Sequence, residues 1–168
     1  MSPIDVSHLS GPDALVALRS YPRRFRSAAI PIEGDPGVAE WALRIGPTGR
    51  SVVDILSHTT NSWILLGQAL HQVLTADDPT VHPAVGDDDA REWETPPGTT
   101  VEDALERLTD EAENLATHVA AIHSPDWNRT GRIAGGGATT ALDLVRDTVR
   151  VGAEALPLIE STLAAVRS

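Results

Sequence analysis

Residues 51–75 read SVVDILSHTTNSWILLGQALHQVLT, and this stretch has the clearest helical pattern in the chain. Its apolar residues recur at spacings of three and four, which places them on one side of an α-helix. Ser51, with Asp54 three residues later, matches the capping pattern that opens many helices. We therefore predict a long amphipathic helix here. Its inner face comprises Val52, Ile55, Leu56, Thr59, Trp63, Leu66 and Leu70.

Three further segments share this periodicity and predict helices over residues 12–30, 100–123 and 139–166. Thr100 is the expected cap of one, and Thr139 or Thr140 the cap of the last. Pro22 and Pro157 lie inside the first and last helices, where a proline predicts a kink or a local break. Four long helices joined by long crossover loops indicate an all-α four-helix bundle, formed as a single domain over residues 1–168.

The connections are rich in glycine, proline and acidic residues. Between the first two helices, Trp41, Leu43 and Ile45 alternate with other residues, which permits a short extended piece. Residues 77–100 form a long acidic loop, of a kind that is often functional or mobile, and Trp93 within it could cover a pocket mouth. The three glycines at 135–137 predict a flexible connection rather than a phosphate loop, because the chain has no lysine and no Walker spacing.

Composition excludes several classes of function. The chain has 168 residues and no cysteine, so disulfides, thiolate nucleophiles and cysteine-ligated zinc are excluded. A formal net charge of −11 argues against a nucleic-acid partner. There is no apolar run of membrane-spanning length and no signal-peptide pattern, so we expect no membrane partner and a cytoplasmic location. One basic cluster is interpreted as a solvated helix face; it comprises Arg19, Arg23, Arg24 and Arg26.

Three stretches together resemble a known family. They are ALRSYPRRFRSAA in the first helix, GRSVVDILSHTTNSW in the second, and DWNRTGRIAGGGATTALDLVRDTVR before and within the last. In this order and at these separations they resemble the DinB-like superfamily, which includes the N-terminal domains of mycothiol-dependent maleylpyruvate isomerases. The resemblance covers nearly the whole chain. It implies a DinB-like bundle with up-down-down-up connections and, because such proteins often dimerise, a homodimer.

In that family three histidines usually hold a divalent metal, one from the second helix and two, four residues apart, from the last. The resemblance places His58 at the first of these positions and Val151 and Ala155 at the other two. A stable site needs about three protein ligands, so we predict no metal and no other cofactor. A substituted ligand set of His58, Asp147 and Glu154 is conceivable on ligand chemistry alone.

His58 has a structural and a catalytic interpretation. As a structural residue it would be satisfied by Asp54, four residues earlier, or by a backbone carbonyl. As a catalytic residue it would be a neutral acid–base group in a drier version of the metal pocket, oriented by Asp54. Asn61 would then bind the substrate, and Asp147 would turn inward to act beside His58. The wall of that pocket would comprise Trp63, Val151 and Ala155.

Three functions stay open on the sequence. The first is a metal-independent enzyme that isomerises or cyclises a small organic molecule, in a setting such as actinobacterial secondary metabolism that the resemblance implies. The second is a non-catalytic small-molecule-binding or interaction module that lost the family metal. The third is a metal-dependent thiol S-transferase with substituted ligands. An enzyme should have a closed pocket around His58, whereas an interaction module should fill that space with side chains and present an apolar outer patch.

Overall fold

The computed structural model describes residues 4–168, and four long helices dominate it. The helices are α1 (Gly11–Ala29), the short α2 (Val38–Trp41), α3 (Val52–Thr75), α4 (Val101–Ala120) and α5 (Ala141–Arg167). Short 3-10 segments cover Pro83–Gly86, Asp88–Ala90 and Ser124–Asn128. The long helices pack around one continuous apolar core. The predicted all-α four-helix bundle is thereby confirmed.

Side-chain caps explain where the long helices begin. The Ser51 hydroxyl accepts from the Asp54 amide and the Asp54 carboxylate accepts from the Ser51 amide, both at 3.0 Å. Thr100 caps α4 through the same reciprocal pair of hydrogen bonds, with Asp103. Thr140, rather than Thr139, caps α5. These bonds satisfy amides that have no partner inside the helix.

The helices do not follow a simple sequential order around the bundle. Both α1 and α3 pack mainly against α4 and α5, so α1 and α3 lie at opposite corners. Aromatic rings from α1 and α3 meet in the centre, where Tyr21, Phe25 and Trp63 contact one another. The Tyr21 hydroxyl donates to the Val149 carbonyl at 2.6 Å, and the Trp63 indole N–H donates to the Thr148 carbonyl at 2.8 Å. Both corners are thereby tied to α5.

A small sheet, which the sequence did not predict, closes one end of the molecule. Its strands are β1 (Thr80–Val81), β2 (Thr130–Ile133) and β3 (Ala138–Thr140), with β1 parallel and β3 antiparallel to β2. The glycines at 135–137, predicted to be a flexible connection, form the hairpin turn between β2 and β3. All three have positive φ angles, between 90° and 136°, which side chains rarely adopt.

Three local predictions differ from the structure. Trp41 ends the helical turn of α2 instead of starting an extended piece, while Leu43 and Ile45 are 54% and 63% exposed. The helix expected to reach residue 123 ends at Ala120, and a 3-10 segment follows at Ser124. Pro22 and Pro157 do not break α1 or α5, which are continuous across them.

Within residues 4–168, no helix has the length and hydropathy to cross a membrane.

Candidate functional site

One face of α3, away from the core, is covered by a short segment of the chain's own acidic loop. We call residues 92–95, Glu92 to Thr95, the strap. Three side chains of α3, spaced four and three apart and therefore on one face, each bond to it. The Asp54 carboxylate accepts from the Thr95 hydroxyl at 2.7 Å, His58 Nδ1 bonds the Glu92 carbonyl at 3.3 Å, and the Asn61 amide donates to the Glu94 carbonyl at 3.2 Å.

Trp93, in the middle of the strap, lies flat on His58. The two ring centroids are 3.8 Å apart and the planes differ by 4°, which is a face-to-face stack. The guanidinium of Arg50 lies 4.7 Å from the centroid of the Trp93 ring, in a cation–π contact. Trp93 therefore covers the histidine directly, where the sequence suggested only a pocket mouth.

The surroundings of His58 favour a neutral imidazole with its free nitrogen at Nε2. A carbonyl oxygen can only accept, so the bond to Glu92 places the ring proton on Nδ1 and leaves the lone pair on Nε2. Burial lowers the pKa of His58, and the positive charges of Arg91 and Arg50 act in the same direction. Asp54 does not orient His58, since its carboxylate is bonded to Ser51 and Thr95.

Beside His58, five charged residues form what we call the charge network, namely Asp88, Arg91, Asp147, Arg150 and Glu154. Arg150 donates to Asp88 in a bidentate pair at 2.7 and 3.1 Å and to Glu154 at 3.1 Å, and its Nε lies 3.5 Å from Asp147. Arg91 contacts the same Asp88 carboxylate at 3.0 Å. One acidic residue of the loop is thus held by two arginines from different parts of the fold.

Arg91 is the most buried charge in this part of the molecule, with only 8% of its surface exposed. Its guanidinium donates to the backbone carbonyls of Ala84 and Val85 at 2.9 and 3.1 Å, in addition to pairing with Asp88. These partners compensate for the loss of water around the charge. Through these bonds Arg91 holds the two 3-10 segments of the acidic loop next to the strap.

Asp147 lies at the network, as a partly buried carboxylate beside Arg150. Burial raises the pKa of Asp147, partly offset by Arg150, whereas hydrogen bonds from Arg150 lower the pKa of Asp88. His58 bonds to the strap and Asp147 pairs with Arg150. The two residues predicted to be catalytic therefore have different partners and are not hydrogen-bonded to each other.

The predicted substrate-binding residues are in several different environments. Asn61 is bonded through its amide to the strap and accepts from Arg107 at 3.4 Å. Trp63 corrects our expectation of a pocket wall: its indole is 0% exposed, because it packs inside the aromatic centre of the core. Val151 is half-buried and packs against the core, and Ala155 is 8% exposed. The space expected beside His58 is filled by Trp93.

An open cleft of about 450 Å³ lies alongside the strap. Its walls include Asn61 and Leu65 from α3, Arg91 at the edge of the charge network, and Glu92 and Glu94 of the strap. This cleft has the volume of a small-molecule site. It adjoins the strap residues whose carbonyls hold His58 and Asn61.

These residues do not fit a divalent metal. Asp147 and Glu154, which completed the substituted ligand set, both contact the Arg150 cation instead. Arg91 and Arg150 bring two positive charges to the place where a metal ion would need negative or neutral ligands. Within the described part of the chain, no group of three or more His, Asp or Glu side chains is arranged to hold a metal ion. The substituted metal site is therefore not formed.

Sequence reasoning missed Asp88, Arg91 and Arg50 as parts of this site. Asp88 and Arg150 are 62 residues apart and carry no shared spacing signal. The nearest available signal was the run of charges at Arg146, Asp147 and Arg150 in an otherwise amphipathic helix. Only the fold brings the acidic loop against that helix.

Fold and site together define a class: a four-helix bundle in which a strap and a set of salt bridges cover the side of the bundle that carries His58. A model of the DinB superfamily matches residues 22–149, and the chain belongs to that superfamily. Among solved structures it is similar to YfiT from Bacillus subtilis, described as a probable metal-dependent hydrolase with an unusual four-helix bundle topology. The TM-score is 0.71 at 12% identity, over 96% of this chain and 91% of YfiT. No curated protein matches the chain.

Proposed function

We propose that this chain is a metal-independent DinB-superfamily enzyme that isomerises or cyclises a small organic molecule, with His58 as its acid–base group. The observation that carries the proposal is the bond from His58 Nδ1–H to the Glu92 carbonyl, which leaves the Nε2 lone pair unused. A histidine in this state can accept a proton without any metal.

The reaction class follows from what His58 can exchange. Nε2 takes a proton from one atom of the substrate, which gives an imidazolium, and the same proton returns to another atom of the same molecule. The neighbouring cations Arg91 and Arg50 disfavour the imidazolium and so promote the return step. The balance closes with no oxidant, reductant or cofactor, which is why we propose isomerisation or cyclisation. The setting in secondary metabolism is proposed from the family resemblance.

The other residues have supporting roles in this proposal. The substrate would lie in the cleft beside the strap, and movement of the strap would bring Nε2 into contact with it. Asn61 and Asp147 are positioning residues, since Asn61 bonds the strap and Asp147 pairs with Arg150. In this proposal Val151 and Ala155 form the α5 side of the pocket wall, and both are at least half-buried.

A second candidate, a non-catalytic binding module, is favoured by one observation. Trp93 lies against the imidazole face at 3.8 Å, so the chain's own side chain fills the space that a substrate of an open pocket would use. In a binding module the strap would stay closed and the cleft alone would hold the ligand.

A conversion screen tests both candidates. Purified protein, treated with a chelator, is incubated with a defined library of small carbonyl-containing acids, and products of unchanged mass are sought by NMR. We expect at least one compound to be converted by the wild type and not by His58→Ala. The matched control is His71→Ala, an exposed histidine on the same helix, which should keep activity. Conversion by untreated protein that is lost after chelator treatment would contradict metal independence. Binding without conversion would favour the binding module.

A further inference from the structure

A groove between α1 and the C-terminal half of α5 differs in character from the rest of this acidic molecule. Its volume is about 650 Å³, within the range of small-molecule sites. Arg23 and Arg24 line it from α1, and Arg167 lines it from the end of α5. None of its residues belongs to the strap or to the charge network, so a ligand site in this groove is independent of the function proposed for His58.

Among the residues that the structure describes, the three arginines form no ion pair, although the chain carries 24 acidic residues. Within residues 4–168, seven other arginines form salt bridges, whereas Arg23, Arg24 and Arg167 form none. One carboxylate, that of Glu160, also lines the groove, and it too is unpaired among the described residues. Three cations against one anion leave the groove positive on a molecule whose formal charge is −11.

Two of these guanidinium groups are held in place without using their hydrogen-bond donors. Arg24 lies over the Tyr21 ring at 5.5 Å from its centroid, and Arg167 lies over the Trp41 ring at 5.0 Å. A cation–π contact orients the guanidinium plane while its N–H groups stay available for an anion. The arginines are therefore preorganised donors, and less side-chain freedom is lost when an anion binds.

The floor of the groove is apolar and carries one free acceptor. Leu156 and Leu163 line it and are 6% and 3% exposed. Because Pro157 has no N–H, the carbonyl of Ala153, four residues earlier, lacks its usual partner within α5. Both residues line the groove. A ligand that matches this surface has an anionic group, an apolar body and room for one donor.

We propose that the α1/α5 groove binds a soluble amphipathic organic anion, a carboxylate or phosphate ester on an apolar body, with Arg23, Arg24 and Arg167 holding the anion. The apolar body lies over Leu156 and Leu163, and the charge is shared among the three guanidinium groups. Charge and apolar area act together here, so neither an alcohol of the same length nor inorganic phosphate should replace the ligand.

Calorimetric titration of the full chain with octyl phosphate tests the proposal, with octanol and inorganic phosphate as comparators. We expect octyl phosphate to bind, more weakly at high salt, and the two comparators to bind at least about tenfold more weakly. The triple variant Arg23→Gln/Arg24→Gln/Arg167→Gln should lose at least about tenfold in affinity, because charge-assisted hydrogen bonds are lost. Arg19→Gln is the matched control, since Arg19 is exposed on α1, forms no salt bridge within residues 4–168 and lies outside the groove.

A second variant separates the groove from general charge. Ala164→Trp fills the groove from an exposed position and keeps all three arginines, so it should abolish octyl phosphate binding in a protein that stays folded. Equal loss in Arg19→Gln, or equal binding of octanol, would overturn the proposal. So would binding only to phosphatidylcholine vesicles that contain phosphatidylglycerol, preference for an acidic peptide, or a dimer that Ala164→Trp dissociates.

Discussion

The His58 end of the bundle and the α1/α5 groove use arginine in opposite ways. At the His58 end, Arg91 and Arg150 are fully engaged by Asp88 and by carboxylates or carbonyls of the chain itself. In the groove, Arg23 and Arg167 have no carboxylate partner among the described residues and face an open, partly apolar surface. Arginine side chains thus stabilise the chain's own structure in one region and remain available for a ligand in the other.

This difference separates two meanings of a charged cluster. When a guanidinium has buried or half-buried partners, removing one of them lowers the stability of the protein strongly, because a charge is left without compensation. A guanidinium without partners contributes little to stability and is the better candidate for recognition. Substitutions in the charge network should therefore change the free energy of unfolding, whereas substitutions in the groove should mainly change binding.

The largest expected effect comes from breaking the charge network. Arg150→Gln leaves Asp88, Asp147 and Glu154 close together without their shared cation, so we expect the free energy of unfolding to fall by about 2–3 kcal/mol. Urea denaturation at neutral pH measures it. Arg132→Gln is the control, because its pair with Asp78 is 73% and 47% exposed and should be worth under about 1 kcal/mol. Equal losses in the two variants would show that the network is an ordinary surface feature.

An intermediate effect is expected from removing the ring that covers His58. Trp93→Ala deletes a half-buried indole and its contacts to His58 and Arg50, so unfolding should become easier by about 1–2 kcal/mol. Loss of the cover exposes the imidazole, and the pKa of His58 should rise towards its ordinary value. NMR titration of the histidine resonances measures the pKa. Trp41→Ala, which also removes a half-buried indole in contact with an arginine, should leave the pKa of His58 unchanged.

The smallest effect concerns pH. Burial lowers the pKa of His58 in the folded protein, so below the ordinary value of 6.5 the unfolded chain takes up a proton that the folded chain resists. Stability is therefore retained above pH 6.5 and falls as the pH drops towards the folded pKa. Comparing the wild type with His58→Gln at pH 7 and pH 5 isolates this contribution from the carboxylates. A difference between the two proteins that does not change with pH would contradict the lowered pKa.

The bundle was largely predictable because its signals are local. The caps at Ser51 and Thr100 and the apolar stripe that contains Trp63 each depend on residues within a few turns of one helix. The sheet was missed because its strands have two to four residues, too few to show a period, and the paired residues of β1 and β2 are 52 apart in the chain. Local patterns could not show that pairing.

The candidate site was predictable only in part. The sequence grouped His58, Asn61 and Asp54 into one site, and all three do bond to the strap. Trp63 was assigned to a pocket although it lies in the core, because periodicity does not distinguish a wall from an interior. The partners of His58 come from a loop 34 residues away, which no spacing rule connects to it.

By itself, the sequence determined the helices, their caps, the DinB-like bundle, and the absence of histidine at positions 151 and 155. These follow from backbone hydrogen bonding, side-chain periodicity and residue chemistry, which are local properties. The tertiary structure alone decided that Trp93 covers His58, that Arg91 and Arg150 share Asp88, and that Arg23 and Arg167 face one groove. Such placements depend on contacts between distant segments, and their electrostatics are set by how much water the fold removes from each charge.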